Sequence, residues 1–270
     1  MKWTMHNLPG NHFHISNLTR LGPVRYIDET GSTNADLVRL EGIAEDGLVI
    51  VAGHQTAGRG RLDRTWEAPP SSNLLFSVLL RFSDSPELVT LLTSTLAVAV
   101  VDTLDGLFGE EIGNLGIKWP NDVLLLDRSP GKIAGILAEV VSTEPLVVVV
   151  GLGLNVGWPH IDETLLPSAT SLAAAGVKVK PLELLEPILQ SFDGWLEVLA
   201  SSEGPDRLRR AHMERSATIG NQVEVKLPFG EIEGVAVDIS VSGALMVQSN
   251  GERMEFYAGD VVHLRKIDLG

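Results

Sequence analysis

The sequence predicts an α+β protein in which a mixed β-sheet flanked by helices precedes a small antiparallel β-barrel. Up to about residue 217, apolar runs rich in β-branched residues alternate with leucines at helical spacing, without a regular strand–helix–strand order. After that point, short alternating runs are separated by turn residues at close spacing. Hydrophobic residues make up 44% of the 270, enough to bury a sizeable core. We expect a poorly structured lead-in over 1–22, a main domain over 23–217 and a second domain over 218–270.

The individual elements follow from these patterns. Strands of the main domain are expected at 23–28, 47–53, 73–80, 116–119, 123–126, 133–141 and 146–154. A helix is expected after a cap at Ser32 or Thr33, a long helix from residues 85 and 86, and two more over 182–199 and 205–215. Barrel strands are expected at 223–227, 232–239, 244–248, 252–256 and 261–264.

Composition restricts the possible functions. The net charge is −14, so binding to nucleic-acid phosphates is not expected. The chain has no cysteine, which excludes disulfides, zinc–thiolate sites and cysteine nucleophiles. The first twenty residues do not resemble a signal peptide, and no window suggests the ~20 apolar residues of a membrane-spanning helix. We expect a soluble cytoplasmic protein.

A basic, glycine-rich segment over 53–66, GHQTAGRGRLDRTW, stands out against this acidic background. Arg59, Arg61 and Arg64 fall within six residues and alternate with glycines. Glycines allow a loop to fold closely over a ligand and expose backbone N–H groups. Arginine presents a planar fork that suits phosphate or carboxylate. The segment is therefore either an anion-binding loop or an ordinary solvated one.

Two further segments, KWPND at 118–122 and GKIAGILAE at 131–139, contain polar residues beside expected strands. Asn121 and Asp122 follow a proline that ends a strand, which also fits a simple turn. Lys132 precedes an apolar strand that contains Gly135, and a glycine inside a strand often marks a close approach. The Gly-Lys pair lacks the earlier glycine of a Walker A loop, so Lys132 could equally be a surface lysine.

The last two motifs are a glycine-rich segment at 151–157 and a hydroxyl-containing segment at 32–34. GLGLNVG at 151–157 follows a buried strand, but its spacing and the Trp-Pro pair after it do not fit a dinucleotide-binding turn. Gly153 and Asn155 are better explained as wall and polar contact of a small pocket. Ser32 and Thr33, with Asn34, suit a helix cap, and a capped N-terminus also presents N–H and hydroxyl groups to a ligand. The histidines show no metal-binding spacing, and we expect no metal site made by the protein alone.

Taken in their order along the chain, 32–34, 53–66, 118–122, 131–139 and 151–157, the five segments resemble the biotin–protein ligase (biotin–[acetyl-CoA-carboxylase] ligase) family over residues 22–264. The resemblance implies a class II synthetase-like catalytic domain followed by an SH3-like domain. It also implies two reactions, with ATP and biotin as substrates and Mg²⁺ as cofactor. Biotin and ATP give biotinyl-5′-AMP, and a lysine of a biotin carboxyl carrier domain then takes up the biotinyl group.

The resemblance also assigns roles to residues that match the family's motifs. The implied biotin contacts are Ser32, Thr33, Asn34, Gln55, Arg59, Lys132, Gly135 and Gly153. The implied nucleotide contacts are Arg61, Arg64, Trp66, Asn121, Lys132 and Asn155. The implied catalytic residues are Lys132, Arg59, Arg61 and Asp122, the last as the group that receives or orients the acceptor lysine.

Other expectations concern partners and alternatives. Only about 22 residues precede the first expected strand of the main domain, which suggests the short class without an N-terminal DNA-binding domain. We expect the carrier domain of an acyl-CoA carboxylase as partner, no nucleic acid or membrane, and a monomer or weak homodimer. A lipoate–protein ligase, a biotin-binding regulator without turnover and a nucleic-acid-binding repressor are the alternative functions.

Overall fold

The computed structural model describes residues 6–8, 10–13, 15–62, 64–83, 88–158, 168–227, 230–257 and 259–263. Its helices are α1 (Thr33–Leu40), α2 (Leu88–Phe108), α3 (Leu185–Leu199) and α4 (Gly204–Glu214). The strands of the main sheet are β1 (His6–Leu8), β2 (Gly10–Phe13), β3 (Val24–Thr30), β4 (Val49–Gln55), β5 (Asn73–Phe82), β6 (Leu115–Lys118), β7 (Asp122–Leu125), β8 (Gly131–Thr143) and β9 (Leu146–Asn155). A second sheet contains β10 (Gln222–Leu227), β11 (Gly230–Ile239), β12 (Leu245–Ser249), β13 (Glu252–Phe256) and β14 (Asp260–His263).

The main sheet is mixed, as the sequence predicts. Its nine strands lie in the order β1-β2-β3-β4-β5-β9-β8-β7-β6. Among the strands that the structure describes, only β3 and β4 pair in parallel, and the helix α1 connects them. The second sheet is antiparallel, in the order β13-β12-β11-β10-β14. The predicted α+β class with a separate small β unit is confirmed, and the proposed domain boundary near residue 218 stays a prediction.

Each face of the main sheet has its own core. On one face, α2, α3 and α4 cover a continuous apolar layer that includes Val148, Val150 and Leu152 of β9. On the other, α1 covers a smaller cluster that includes Val147 and Val149 of the same strand. This division follows from the two-residue period of a strand, which sends successive side chains to opposite faces.

Helix α2 corrects one expectation from the sequence. The helical stretch Leu88–Glu111 is long and apolar enough to span a membrane by composition alone. Most of its leucines and valines, however, are packed against the sheet and α3, so it is the central core helix of this fold. Helix and sheet both bury apolar surface here, which explains the helix's low polarity. Its predicted start at residues 85 and 86 lies outside the described residues.

The structure also corrects the expectation of a poorly structured lead-in over 1–22. Strands β1 and β2 extend the sheet next to β3, and Leu21 is buried in the main core. The carboxylate of Asp193 on α3 accepts backbone N–H bonds from Thr19 (2.6 Å), Arg20 (3.0 Å) and Leu21 (2.9 Å). This contact joins residues more than 170 positions apart, which a local sequence pattern does not reveal.

Trp119 connects the two sheets. The residue follows β6 of the main sheet, yet its side chain belongs to the apolar core of the second sheet and is 2% exposed. Its indole N–H donates to the carbonyl of Gly243 (2.9 Å), and its backbone N–H donates to Thr218 Oγ1 (3.0 Å). The segment KWPND is thereby fixed between the two sheets, directly before Asn121 and Asp122.

Candidate functional site

A cavity of ≈ 600 Å³ opens on the α1 face of the main sheet, beside the N-terminus of α1. All fourteen residues predicted for the site line it. They are Ser32, Thr33, Asn34, Gln55, Arg59, Arg61, Arg64, Trp66, Asn121, Asp122, Lys132, Gly135, Gly153 and Asn155. Residues up to 123 positions apart in the sequence therefore meet in one place, although their individual roles remain predictions.

The floor of the cavity is a row of residues at the same level of neighbouring strands. Asp122 of β7 lies opposite Gly135 of β8, and Gly135 lies opposite Gly153 of β9. The indole of Trp66 lies on the two glycines. A Cβ at Gly153 would be 2.4 Å from Trp66 Cε2, and one at Gly135 would be 2.9 Å from Cζ3. Glycine at both positions is therefore explained by the close approach of this ring.

Trp66 brings a polar atom and an aromatic face into this floor. Among the described residues its buried indole N–H has no hydrogen-bond partner. The Lys132 ammonium lies 5.5 Å from the centroid of the ring, within the range of a cation–π contact. An unpaired buried donor is uncommon, and one in a cavity wall suits a ligand that accepts a hydrogen bond.

Lys132 forms an ion pair with Asp122. Its Nζ lies 2.6 Å from Asp122 Oδ1, and the two side chains are 33% and 20% exposed. The two residues come from the adjacent strands β8 and β7, where the pairing shifts by one residue at a bulge between Val123 and Leu124. Bulges of this kind often redirect a side chain next to an active site.

At the α1 end, the cavity is lined by hydroxyl and amide groups. Ser32 caps the helix, its Oγ lying 3.5 Å from the N–H of Ala35. The backbone N–H of Thr33 donates to Gln55 Oε1 (2.8 Å), and Thr33 Oγ1 lies 2.6 Å from Ser77 Oγ. These groups provide both donors and acceptors for a small polar ligand group.

Asn34 and Glu139 form the next layer behind these groups. The amide of Asn34 donates to Glu139 Oε2 (2.6 Å) and accepts a bond from Ser77. Gly151 makes this possible, because a Cβ there would be 2.1 Å from Asn34 Oδ1. The same Glu139 oxygen accepts from Arg59 (3.0 Å). Asn34 is 5% exposed, so its polar atoms serve mainly the protein itself.

The other two arginines of the loop contact the second sheet. Arg61 donates to Asn121 Oδ1 (3.2 Å) and to the carbonyl of Gly259 (3.2 Å), while Arg64 pairs with Asp260. Burial lowers the pKa of the Arg61 guanidinium, and the nearby Asp122 carboxylate partly opposes this change. The guanidinium remains a fixed positive charge, because arginine is not deprotonated in proteins.

Asn121 and Asn155 both have partners inside the protein. Asn121 Nδ2 donates to the carbonyl of Ile136 (2.9 Å). Asn155 Nδ2 donates to the carbonyl of Thr170 (2.9 Å), and its Oδ1 accepts from Asn73 (2.6 Å). These bonds hold the cavity wall in place and leave each amide little free capacity for a ligand.

Sequence reasoning did not select several polar residues at the site, and five of them bear on its chemistry. Ser77, Lys118, Asp260 and His263 line the cavity, and Glu139 lies directly behind it. Lys118 and Glu139 belong to the motifs 118–122 and 131–139 and could have been selected from them. Ser77, Asp260 and His263 lie in segments without any motif. Burial and, to a lesser extent, the positive charge of Lys118 lower the pKa of His263.

The arrangement suits the joining of two anions. Arg59, Arg61 and Lys132 contribute positive charge to a cavity that also presents neutral hydrogen-bonding groups at the N-terminus of α1. Positively charged groups fixed in place stabilise negative charge that develops in a transition state. Within the described part of the chain, no group of three histidines or carboxylates could hold a metal ion without help from a ligand.

Comparison with known protein families identifies both parts of the chain. Residues 25–155 match the model of the biotin/lipoate A/B protein ligase family, and residues 218–264 match the biotin protein ligase C terminal domain. The biotin–[acetyl-CoA-carboxylase] ligase of Mycobacterium tuberculosis is 38% identical over 244 residues, which cover 88% of each chain. The corresponding ligase of Paracoccus denitrificans is 32% identical over 238 residues, covering 86% of this chain and 97% of that protein.

A solved structure agrees with this relationship. Biotin protein ligase from Aquifex aeolicus, in complex with biotin and ATP, matches with a TM-score of 0.76 and 27% identity. The match covers 90% of this chain and 98% of that chain, so it includes both sheets. On this evidence the chain belongs to the biotin protein ligase family.

Proposed function

We propose that this chain attaches biotin to a lysine of a carrier domain in two steps that share the cavity. In the first step, the biotin carboxylate attacks the α-phosphorus of ATP, forming biotinyl-5′-AMP and releasing pyrophosphate. In the second step, a lysine amine attacks the acyl carbon, an amide bond forms, and AMP leaves. The matched C-terminal domain and the relatives named as biotin ligases favour biotin over lipoate.

The first step brings a carboxylate to a triphosphate, so electrostatic repulsion must be overcome. Lys132 contacts Asp122 of the cavity floor and lies over Trp66, a predicted nucleotide contact, so it is the residue best placed to neutralise both reacting groups. For this, its ion pair with Asp122 must open or its ammonium must shift toward the ligand. Arg59 and Arg61 add charge from the loop side, so that catalysis rests on positioning and charge without a protein nucleophile.

The site also fits Mg²⁺ bound mainly through the substrate. Mg²⁺ in ATP-dependent enzymes is usually held by one or two carboxylates together with phosphate oxygens and water. Asp122 and Asp260 line the cavity and are the carboxylates that could contribute. The ion would supply further neutralisation of the phosphate charge.

The second step requires an acceptor lysine that loses a proton before its nitrogen can attack. Asp122 is the carboxylate of the cavity floor nearest to Lys132 and is our candidate for orienting this amine or receiving its proton. A lysine on a carrier domain must enter from solvent, and the cavity is open on the α1 face of the sheet.

The proposal extends to the partner and location. The names of the relatives favour the carrier domain of an acyl-CoA carboxylase as acceptor. The absence of cysteine and the acidic net charge of −14 agree with a cytoplasmic enzyme that does not bind DNA. We expect a monomer or weak homodimer.

A single observation carries the proposal, namely that neutral hydrogen-bonding groups and a cluster of cations that includes Arg59, Arg61 and Lys132 line one cavity with a glycine floor. The test is incubation with biotin, MgATP and a biotin carboxyl carrier domain, followed by mass measurement of the carrier. We expect the mass of one biotinyl group to be added and pyrophosphate to be released. Modification with lipoate at the same rate, or no modification with either acid, would refute the proposed activity.

A further inference from the structure

A continuous chain of hydrogen bonds runs behind the α1 end of the cavity. It begins at Glu139 on β8, passes through Asn34 and Ser77, and reaches Thr33 at the cavity wall. The three inner members are 5%, 0% and 3% exposed, so water does not compete for their bonds. The members come from α1, β5 and β8, and Glu139 alone carries a charge.

The chemistry of its first member fixes the direction of every bond in this chain. The Glu139 carboxylate, paired with Arg59, can only accept, so the Asn34 NH₂ group must point to it. The Asn34 oxygen then faces Ser77, and an amide oxygen can only accept, so Ser77 must donate. The single proton of Ser77 is now used, and its 2.6 Å contact with Thr33 requires the Thr33 proton.

The result is a pair of acceptors without a proton between them. Thr33 Oγ1 lies 3.1 Å from Gln55 Oε1, and Gln55 Oε1 already accepts the backbone N–H of Thr33. With the Thr33 proton directed to Ser77, both oxygens present lone pairs at this point of the cavity. A ligand N–H fits there, whereas a thioether or disulfide sulfur offers no proton.

If every hydrogen bond in this series pointed the other way, the acceptor pair would no longer be open to a ligand N–H. If Asn34 turned its NH₂ group toward Ser77, Ser77 would donate to Thr33 and Thr33 would donate to Gln55. The acceptor pair would then be bridged by a proton of the protein, leaving no position for a ligand donor. Glu139 opposes this reversal, because a carboxylate and an amide oxygen facing each other would repel. The Leu137 carbonyl also accepts from the Asn34 NH₂ group, but at 3.4 Å against 2.6 Å for Glu139, so the carboxylate is the stronger of the two constraints.

We infer that Glu139 is a positioning residue that makes the α1 end of the cavity an acceptor of ligand N–H groups. It acts through Asn34 and Ser77 and selects a cyclic urea over a sulfur ring. The inference rests on the proposed function, since it concerns recognition of the biotin head group. It assigns a role to a residue that lies outside the cavity lining.

The test compares two ligands by calorimetric titration of the full chain. One is biotin, and the other is the thiolane-valerate analogue, which lacks the urea ring. In Glu139→Ala we expect at least about tenfold weaker binding of biotin and unchanged binding of the analogue. Glu139→Gln retains an acceptor oxygen and should bind biotin within about threefold of the original chain. Near-normal biotin binding by Glu139→Gln would show that the acceptor oxygen is what matters. It would exclude charge pairing with Arg59 as the contribution of Glu139.

Two further variants keep the result interpretable. Ser77→Ala interrupts the same chain with a smaller change and should show the same selective loss, even if Glu139→Ala does not fold. Glu29→Ala removes an exposed carboxylate that pairs with His54 (3.0 Å) and is the matched control. Equal losses for both ligands, or unchanged biotin binding in Glu139→Ala, would overturn the inference. If the original chain bound no biotin, the proposed function itself would fail.

Discussion

The two faces of the main sheet have different roles, and strand β9 shows this most directly. Its side chains Val148, Val150 and Leu152 enter the large core beneath α2, whereas Gly151 and Gly153 lie on the opposite face and leave space for Asn34 and Trp66. One face supplies apolar burial and the other supplies room for polar groups. Substitutions on the site face should therefore change activity with little change in stability, and substitutions on the helical face should do the reverse.

The largest expected effect on the site face comes from Lys132→Ala. Removing the cation at the reacting groups should reduce adenylate formation about 10²–10³-fold, because a fixed charge in the cavity is lost. The rate of pyrophosphate release with biotin and MgATP measures this. Thermal unfolding should be nearly unchanged, since the Lys132 side chain is 33% exposed and takes no part in the core.

Lys178→Ala is the matched control, because Lys178 is an exposed lysine outside the cavity. It should leave pyrophosphate release unaltered. A Lys132→Ala variant that releases pyrophosphate at the original rate would remove Lys132 from the mechanism.

On the helical face, His212 of α4 should make stability depend on pH. The side chain is 1% exposed, contacts Ser94 Oγ (3.0 Å), and burial lowers its pKa from 6.5 to about 4. As the pH falls below 6.5, the unfolded chain binds a proton that the folded chain binds only near pH 4, so folding becomes less favourable. The loss should reach about 3 kcal/mol between pH 6.5 and 4 and should be absent above pH 7.

Denaturant unfolding at several pH values, with His212→Gln as comparison, isolates this contribution. Carboxylates also titrate in the same range, but they are common to both chains. The difference between the two free energies of unfolding should therefore shrink or reverse as the pH falls. Parallel curves for the two chains would show that His212 does not couple folding to pH.

The difference between the faces also explains what the sequence could predict. Strand β8 was expected at 133–141 and observed at Gly131–Thr143, because its apolar side chains face a large, continuous core and leave a clear periodic signal. Trp66 was assigned to the site only through a family resemblance. Nothing in its local pattern shows that it lies on Gly135 and Gly153, which are 69 and 87 positions away.

Residues that enter the site from far along the chain could not be predicted at all. Asp260 reaches Arg64 across 196 positions, and the second sheet brings it there through the position of Trp119 in its core. Ser77 lies in the strand NLLFSVLLRF, where a serine with three apolar residues on either side gives no hint of a series of hydrogen bonds. Such contacts depend on the tertiary fold, which short-range spacing does not encode.

Arg61→Ala should have an intermediate effect on the site face. Its guanidinium joins Asn121 to the carbonyl of Gly259 and thus holds the loop against the second sheet. Without it, we expect biotinyl-AMP to escape about tenfold faster, equivalent to the loss of one charge-assisted hydrogen bond. A chase experiment with the preformed adenylate measures the rate. Arg253→Ala on the exposed side of β13 should leave the rate unchanged, and an unaltered rate in Arg61→Ala would contradict the assigned role.

The smallest expected effect is that of Gly194→Ala in α3. This variant is also the most direct test of the difference between the site face and the helical face of the main sheet. A Cβ at Gly194 would meet no atom within 4 Å, and alanine restricts the unfolded chain more than glycine does. The free energy of unfolding should rise by about 0.5–1 kcal/mol, with no change in biotinylation rate. Gly153→Ala makes the same chemical change on the opposite face, where the added carbon would meet Trp66 Cε2 at 2.4 Å, and it should lower activity. If Gly194→Ala also reduced activity, the helical face would contribute to the site and the two faces would not be separable.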